Sequence, residues 1–321
     1  MKQEHSVTRR NLLKTGLSAA AVGIVGPRAV AAVAATSTAP AEAGGWQVGC
    51  FTRPWGEQEW PAALDAIAEA GFKHAGLMTS KTGLVISLAT SVEEASRIGA
   101  EARKRGLEIP SVYGGGFDAE RSLEAGIAGL RKLIDNCAAA GSKTLMLGGT
   151  GDANRYDDYY KAVAETCDYA AEKHIGLVLK PHGGLNATGP QCRKTIERVG
   201  HKSFTLWYDP GNIFYYSDGK LDPIEDAPSV AGIVSGMCVK DFTMTVEDGK
   251  PSKVVDVNPG DGRVDFPAVM ARLKKGGFTR GPLVIETLAP GSLPERLAAA
   301  RKARLFVEAL VAGKLAQDSD R

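Results

Sequence analysis

Eight short apolar runs alternating with segments of helical spacing predict a single parallel α/β barrel, the (β/α)8 TIM barrel, for most of this 321-residue chain. Two further observations agree. Several helical segments stop at a glycine that can adopt a left-handed cap, and each then hands over to an apolar run. No G-x-G-x-x-G follows the first apolar run, as an open dinucleotide-binding sheet would have, and there is no P-loop. A doubly wound open sheet is therefore the lesser alternative. Composition is ordinary for a globular chain, 44% hydrophobic and 24% charged. Length leaves the domain count open, because a barrel uses about 250 residues for one domain.

In chain order, the expected strands are residues 46–52, 74–79, 108–113, 143–147, 175–179, 204–208, 232–239 and 283–287. Apolar spacing of three and four marks helices over residues 60–70, 92–105, 123–140 and 159–173. Ala70-Gly71, Arg105-Gly106, Ala140-Gly141 and Lys275-Gly276-Gly277 end helical segments. Gly114-Gly115-Gly116, after the third strand, reads as a permissive loop. The barrel is expected over residues 46–312, with a flexible Ala/Thr/Ser/Pro-rich lead at 35–45 and a polar tail at 313–321.

Residues 1–34 read as an export signal. Thr8-Arg9-Arg10-Asn11-Leu12-Leu13-Lys14 precedes a small-residue apolar stretch over 15–25, which resembles a twin-arginine (Tat) signal peptide. Ala32-Val33-Ala34 and Ala39-Pro40-Ala41 offer cleavage sites, and the expected destination is the periplasm. The apolar stretch falls short of the roughly 20 residues that span a bilayer, so no stable membrane span is expected after cleavage. Cleavage at 34 removes five basic residues and Glu4, which turns the formal net charge from +2 to −2. A basic balance that belongs to a leader gives no reason to expect nucleic acid, and a small-molecule ligand is the expected partner. Homo-oligomer assembly stays open. The five cysteines show no C-x-x-C spacing and read as small buried hydrophobes.

In such a barrel the active site lies at the carboxyl ends of the strands. Those ends carry Lys180-Pro181-His182, Asp209-Pro210-Gly211-Asn212, Lys240-Asp241 and Glu286, with Arg53 and Trp55 after the first strand. Charges gathered at one mouth are costly unless they pair, hold a metal or bind a polar ligand. Plainer readings stand beside each residue. His182 could be structural, Lys180 and Glu286 a buried ion pair, Asp209 a turn cap, and Cys238 filler.

The strand ends, with Pro259-Gly260-Asp261-Gly262 and Val264-Asp265-Phe266, resemble those of the xylose-isomerase-like sugar isomerases and epimerases over about residues 46–312. In that superfamily the fifth strand usually ends in Glu-Asn-His, the sixth in Asp-x-Gly-Asn, the seventh in His-x-Lys-Asp and the eighth in Glu. The resemblance implies one divalent cation held by the first Glu, the Asp, the His and the last Glu. Here Lys180 stands in place of that Glu and Cys238 in place of that His. The cofactor is thus either none or one divalent metal (Mn, Mg or Zn), with Asp209, Glu286 and His182 as the remaining ligand candidates. Without a metal, the Lys180 ammonium would take the cation's place between Asp209 and Glu286. A deprotonated Lys180 acting as base or Schiff-base nucleophile is the alternative.

The resemblance implies a sugar isomerase or epimerase that moves protons next to a carbonyl, with a small-molecule carbohydrate as its partner. Lys180, His182 and Glu286 are the catalytic candidates, and Arg53, Trp55, Asn212, Lys240 and Asp241 the substrate-binding ones. Eliminative or hydrolytic cleavage of an oxidised (3-keto) glycoside and non-catalytic sugar binding are the alternatives.

Overall fold

A computed structural model describes residues 45–315. The expected signal peptide, its cleavage sites, the linker up to residue 44 and the end of the polar tail lie outside the described residues. Eight parallel strands form the barrel: β1 (Trp46–Phe51), β2 (His74–Gly76), β3 (Val112–Tyr113), β4 (Thr144–Leu147), β5 (Gly176–Leu179), β6 (Phe204–Tyr208), β7 (Val234–Val239) and β8 (Gly281–Ile285). Each of the eight expected runs overlaps one of these strands, although β2 and β3 are shorter than the periodicity predicts and β8 starts and ends two residues earlier. Hydrogen-bonded pairing runs β2-β1-β8-β7-β6-β5-β4-β3. Parallel bridges from Leu77 to Val112 and from His74 to Glu108 close the ring between β2 and β3.

The helices are α1 (Trp60–Glu69), α2 (Val92–Lys104), α3 (Leu123–Ala140), α4 (Tyr156–Glu172), α5 (Gly189–Val199), α6 (Pro210–Tyr216), α7 (Pro223–Asp226), α8 (Phe266–Lys275) and α9 (Leu293–Val311). Local chemistry sets their ends. Ser91, Ser122 and Asp265 accept from the backbone N–H three residues on, while Thr188 and Ser292 form capping boxes with Gln191 and Glu295. Gly141 ends α3 at φ 79° and Gly200 ends α5 at φ 65°. Two hairpins, Thr79–Ser80 with Gly83–Leu84 and Thr243–Glu247 with Lys250–Val254, decorate the loops. No helix among the described residues is long and apolar enough to cross a membrane.

Two apolar layers hold the barrel together. The larger lies between strands and helices, and the smaller plugs the interior with Phe51, Met78, Met146, Val178, Trp207, Cys238 and Val284. Successive side chains on a strand point to opposite faces, so residues two positions further along point inward again, one layer higher. Two beyond Phe51, Val178, Trp207, Cys238 and Val284 come Arg53, Lys180, Asp209, Lys240 and Glu286. Strand periodicity thus places five charged residues directly above an apolar plug. Glycines make room for its largest members. A Cβ on Gly236 would lie 2.4 Å from Trp207 and one on Gly76 would lie 2.3 Å from Phe51, so both positions exclude side chains. All five cysteines are free and buried, as the composition implied.

Candidate active site

Lys180, Asp209, Lys240 and Glu286 form one closed ring of charges at the top of the plug, none more than 2% exposed. The Lys180 Nζ donates to Glu286 Oε2 at 2.5 Å and lies 3.3 Å from Asp209 Oδ2. Lys240 Nζ lies 2.6 Å from Glu286 Oε1 and 3.4 Å from the same Asp209 oxygen. Arg53 Nη1 adds a third cation to Glu286 Oε1 at 2.8 Å. Backbone ladders continue through these positions, since Lys180 N donates to Leu147 O and Glu286 N to Val239 O. The side chains are therefore fixed by the sheet rather than by mobile loops.

Asp209 divides its two oxygens. Oδ1 caps α6 by accepting from Asn212 N at 2.9 Å, while Oδ2 faces both ammoniums. Turn cap and site residue are both correct descriptions of it. Asn212 steadies Lys240: its Oδ1 accepts from Lys240 Nζ at 3.1 Å and its Nδ2 donates to Pro181 O at 2.6 Å.

Electrostatics keep the central pair charged. Burial alone would strip the proton from Lys180, but Glu286, Cys238 and Asp209 together raise its pKa above the ordinary lysine value. Burial alone would likewise raise the Glu286 pKa, yet Lys180, Lys240 and Arg53 hold it well below the usual carboxylate range. A deprotonated Lys180 base or nucleophile is disfavoured by this environment. So is Glu286 as a proton acceptor, with three cations on its two oxygens.

His182 stands apart at the mouth, exposed, between the rings of Tyr113 (centroids 6.4 Å apart) and Tyr216 (5.7 Å). Its pKa is lowered from 6.5 to about 4, by partial desolvation first and then by Lys180 and Lys240 beneath it. Solvent access screens part of that effect, but the direction leaves a neutral ring at physiological pH. His182 N donates to Asn186 O, and Asn186 is itself clamped by Tyr160 and Thr195 at 2.7 and 2.8 Å. The imidazole therefore sits on an anchored turn.

Ligand-capable atoms of Asp209, Cys238 and Glu286 lie within 4.8 Å of one another, and His182 is not among them. These donors do not suit a divalent cation. Both Glu286 oxygens and Asp209 Oδ2 already face ammoniums, which would repel a second positive centre. Burial pushes the Cys238 thiol well above its ordinary pKa, which holds it in the protonated, weakly ligating form.

Three residues expected as substrate contacts make other contacts in the structure. Trp55 is 1% exposed and packs into the strand–helix core, so it offers no open stacking face. Asp241 turns away from the ring of charges and accepts from the backbone N–H groups of Phe242, Gly260, Gly262 and Val264 at 2.7–3.0 Å, which commits both oxygens to that loop. Lys240, expected only to touch substrate, is instead the equal partner of Lys180. Its place two residues after Cys238 is the signal that reveals it.

The xylose isomerase-like TIM barrel family model matches residues 64–310. A xylose isomerase domain protein from Planctomyces limnophilus superposes with TM-score 0.64 at 20% identity, covering 84% of this chain and 99% of that one. A xylose isomerase-like TIM barrel protein from Mycobacterium smegmatis in complex with magnesium gives 0.66 at 18%, covering 84% and 98%. A D-psicose 3-epimerase in the presence of D-fructose gives 0.64 at 15%, covering 83% and 100%. No protein of curated function matches the sequence. With more than three quarters of its length matched by the family model and a closed eight-stranded barrel, the chain belongs to the xylose isomerase-like TIM barrel family.

Proposed function

We propose that this protein is a sugar isomerase or epimerase that moves a proton next to a carbonyl, with Lys180 and Lys240 supplying the charge that a divalent cation would otherwise supply. The observation that carries the reading is the ring of charges itself: two ammoniums grip one carboxylate above a dry plug. Removing a proton beside a carbonyl leaves an enolate oxygen, and fixed cations in a water-poor site stabilise such developing charge. Glu286 and Asp209 hold the two lysines in place. Neutral His182, above them, is the proton carrier: desolvation and the two lysines beneath keep its ring unprotonated at physiological pH, which leaves a nitrogen to accept while weakening it as a base. Arg53 and Asn212 orient substrate and lysines. The sugar class is supported by family membership and by the likeness to a D-psicose 3-epimerase fold.

Export belongs to the same reading. The Arg9-Arg10 leader, cleaved near residue 34 or 41, would deliver a barrel that begins at Trp46 to the periplasm. N-terminal sequencing of the secreted protein checks this.

The deciding assay is solvent deuterium incorporation into D-fructose and D-xylose in the presence of a chelator, followed by mass spectrometry, together with metal analysis of the purified protein. Exchange that survives chelation and disappears in His182→Gln and Lys180→Met supports the reading. A stoichiometric tightly held metal, or exchange that requires added metal, refutes the lysine pair as the charge source. Binding of sugars without exchange would instead assign a non-catalytic barrel.

A further inference from the structure

Beside the ring of charges, the loops after β1 and β8 and the first turn of α9 enclose a recess of about 250 Å³. Arg53 and Glu286 belong to both spaces, so the recess opens onto the site rather than standing apart from it. Two of its wall residues lack the partners that such groups normally have. Thr287 is 1% exposed, and its hydroxyl makes no hydrogen bond among the described residues. Arg296 is half-buried, donates one N–H to Gly291 O at 3.1 Å, and forms no ion pair with a described carboxylate.

Carboxylates do line the same recess, and their states differ from the guanidiniums'. Glu286 is saturated by Lys180, Lys240 and Arg53. Asp256 is 60% exposed and lies 3.8 Å from Arg53, and Glu57 is exposed, so solvent screens both. The ring with Arg53 carries three cations against Asp209, Glu286 and the solvent-screened Asp256, and Arg296 adds a cation with no ion-pair partner among the described residues. An oxyanion is the ligand group that would satisfy the open guanidinium fork.

We infer that this recess takes the carboxylate of an acidic sugar, a uronate, whose carbonyl end lies over Lys180 and Lys240. The inference rests on the isomerase reading for the position of the carbonyl. Arg296 would then be the residue that selects acidic from neutral sugars, with no part in the proton transfer.

Calorimetric titration of the full chain with D-glucuronate, D-glucose and D-glucose 6-phosphate tests it. D-Glucuronate is expected to bind about tenfold or more tighter than D-glucose, in line with one charge-assisted contact. In Arg296→Gln that ratio falls to near one while D-glucose affinity stays unchanged, and Arg296→Lys retains part of it. Equal binding of the acid and the neutral sugar, a ratio indifferent to Arg296→Gln, or tighter binding of the phosphate than the carboxylate each overturns the assignment. Failure here is distinct from failure of the isomerase reading. A lost ratio with deuterium exchange intact removes only the recess, whereas a kept ratio with no exchange removes only the catalytic assignment.

Discussion

Lys180→Met tests whether the buried ammonium is structurally committed to its two carboxylates. Methionine fills similar volume, so the change removes charge with little change in packing. It leaves Glu286 Oε2, which Lys180 holds at 2.5 Å, without a donor among the described hydrogen bonds, and leaves Asp209 Oδ2 facing only Lys240 at 3.4 Å. At an effective dielectric of about 20, the shorter contact alone represents roughly 7 kcal/mol of attraction, most of it offset by the desolvation of both groups. Breaking one side of a buried pair costs about 3–5 kcal/mol, because the remaining charge is left uncompensated. For a domain of this size that lowers Tm by roughly 6–15 °C. Differential scanning calorimetry measures it, and Lys180→Met with Glu286→Gln closes the cycle. The double variant should lose less than the sum of the singles by about 1–3 kcal/mol. A single-variant loss under about 1 kcal/mol, or simple additivity, would refute the closed ring.

Three further outcomes follow from other parts of the molecule. His182 titrates low in the folded state, so between its ordinary value of 6.5 and about 4 the unfolded chain binds the extra proton; its contribution to stability is complete above that window and is lost as pH falls through it. NMR titration of the ring should show that low midpoint, and His182→Gln should flatten the stability profile between pH 6.5 and 4; a midpoint near 6.5 would show that desolvation and the lysines beneath do not act on the ring. Asp241→Asn removes the charge and one acceptor from a carboxylate that serves four backbone amides, which should cost about 2–4 kcal/mol and speed amide exchange at 260–264. Unchanged exchange there would show that the loop holds itself. Gly236→Ala should cost about 1–3 kcal/mol through collision with Trp207, and a neutral result in thermal denaturation would mean that the indole can shift.

Much of the architecture is legible in the amino-acid order because strand periodicity needs no long-range information. Phe51, Val178, Trp207, Cys238 and Val284 mark the inward face, and counting two further reaches Arg53, Lys180, Asp209, Lys240 and Glu286. Pairing is less legible. Which ammonium meets which oxygen depends on the barrel's closure, so Lys240 reads from sequence as a substrate contact when it shares Glu286 with Lys180. Trp55 follows Pro54 in a 3-10 turn that carries the indole into the core, an orientation no apolar count reveals. Asp241 lies one residue past Lys240 and therefore faces away from the axis, towards the glycine loop at 260–262. The open donors of Thr287 and Arg296 are visible only after β1 and β8 have been brought side by side.

The seven side chains that plug the barrel also decide the traffic above them. With Trp207 and its neighbours sealing the lower end, the charged floor is the bottom of a blind well rather than a station along a tunnel. Anything that reaches the charged floor must therefore enter and leave from the upper, loop-bearing side. On the isomerase reading, substrate and product would exclude each other there, and competitive product inhibition would be the kinetic signature of that shared exit.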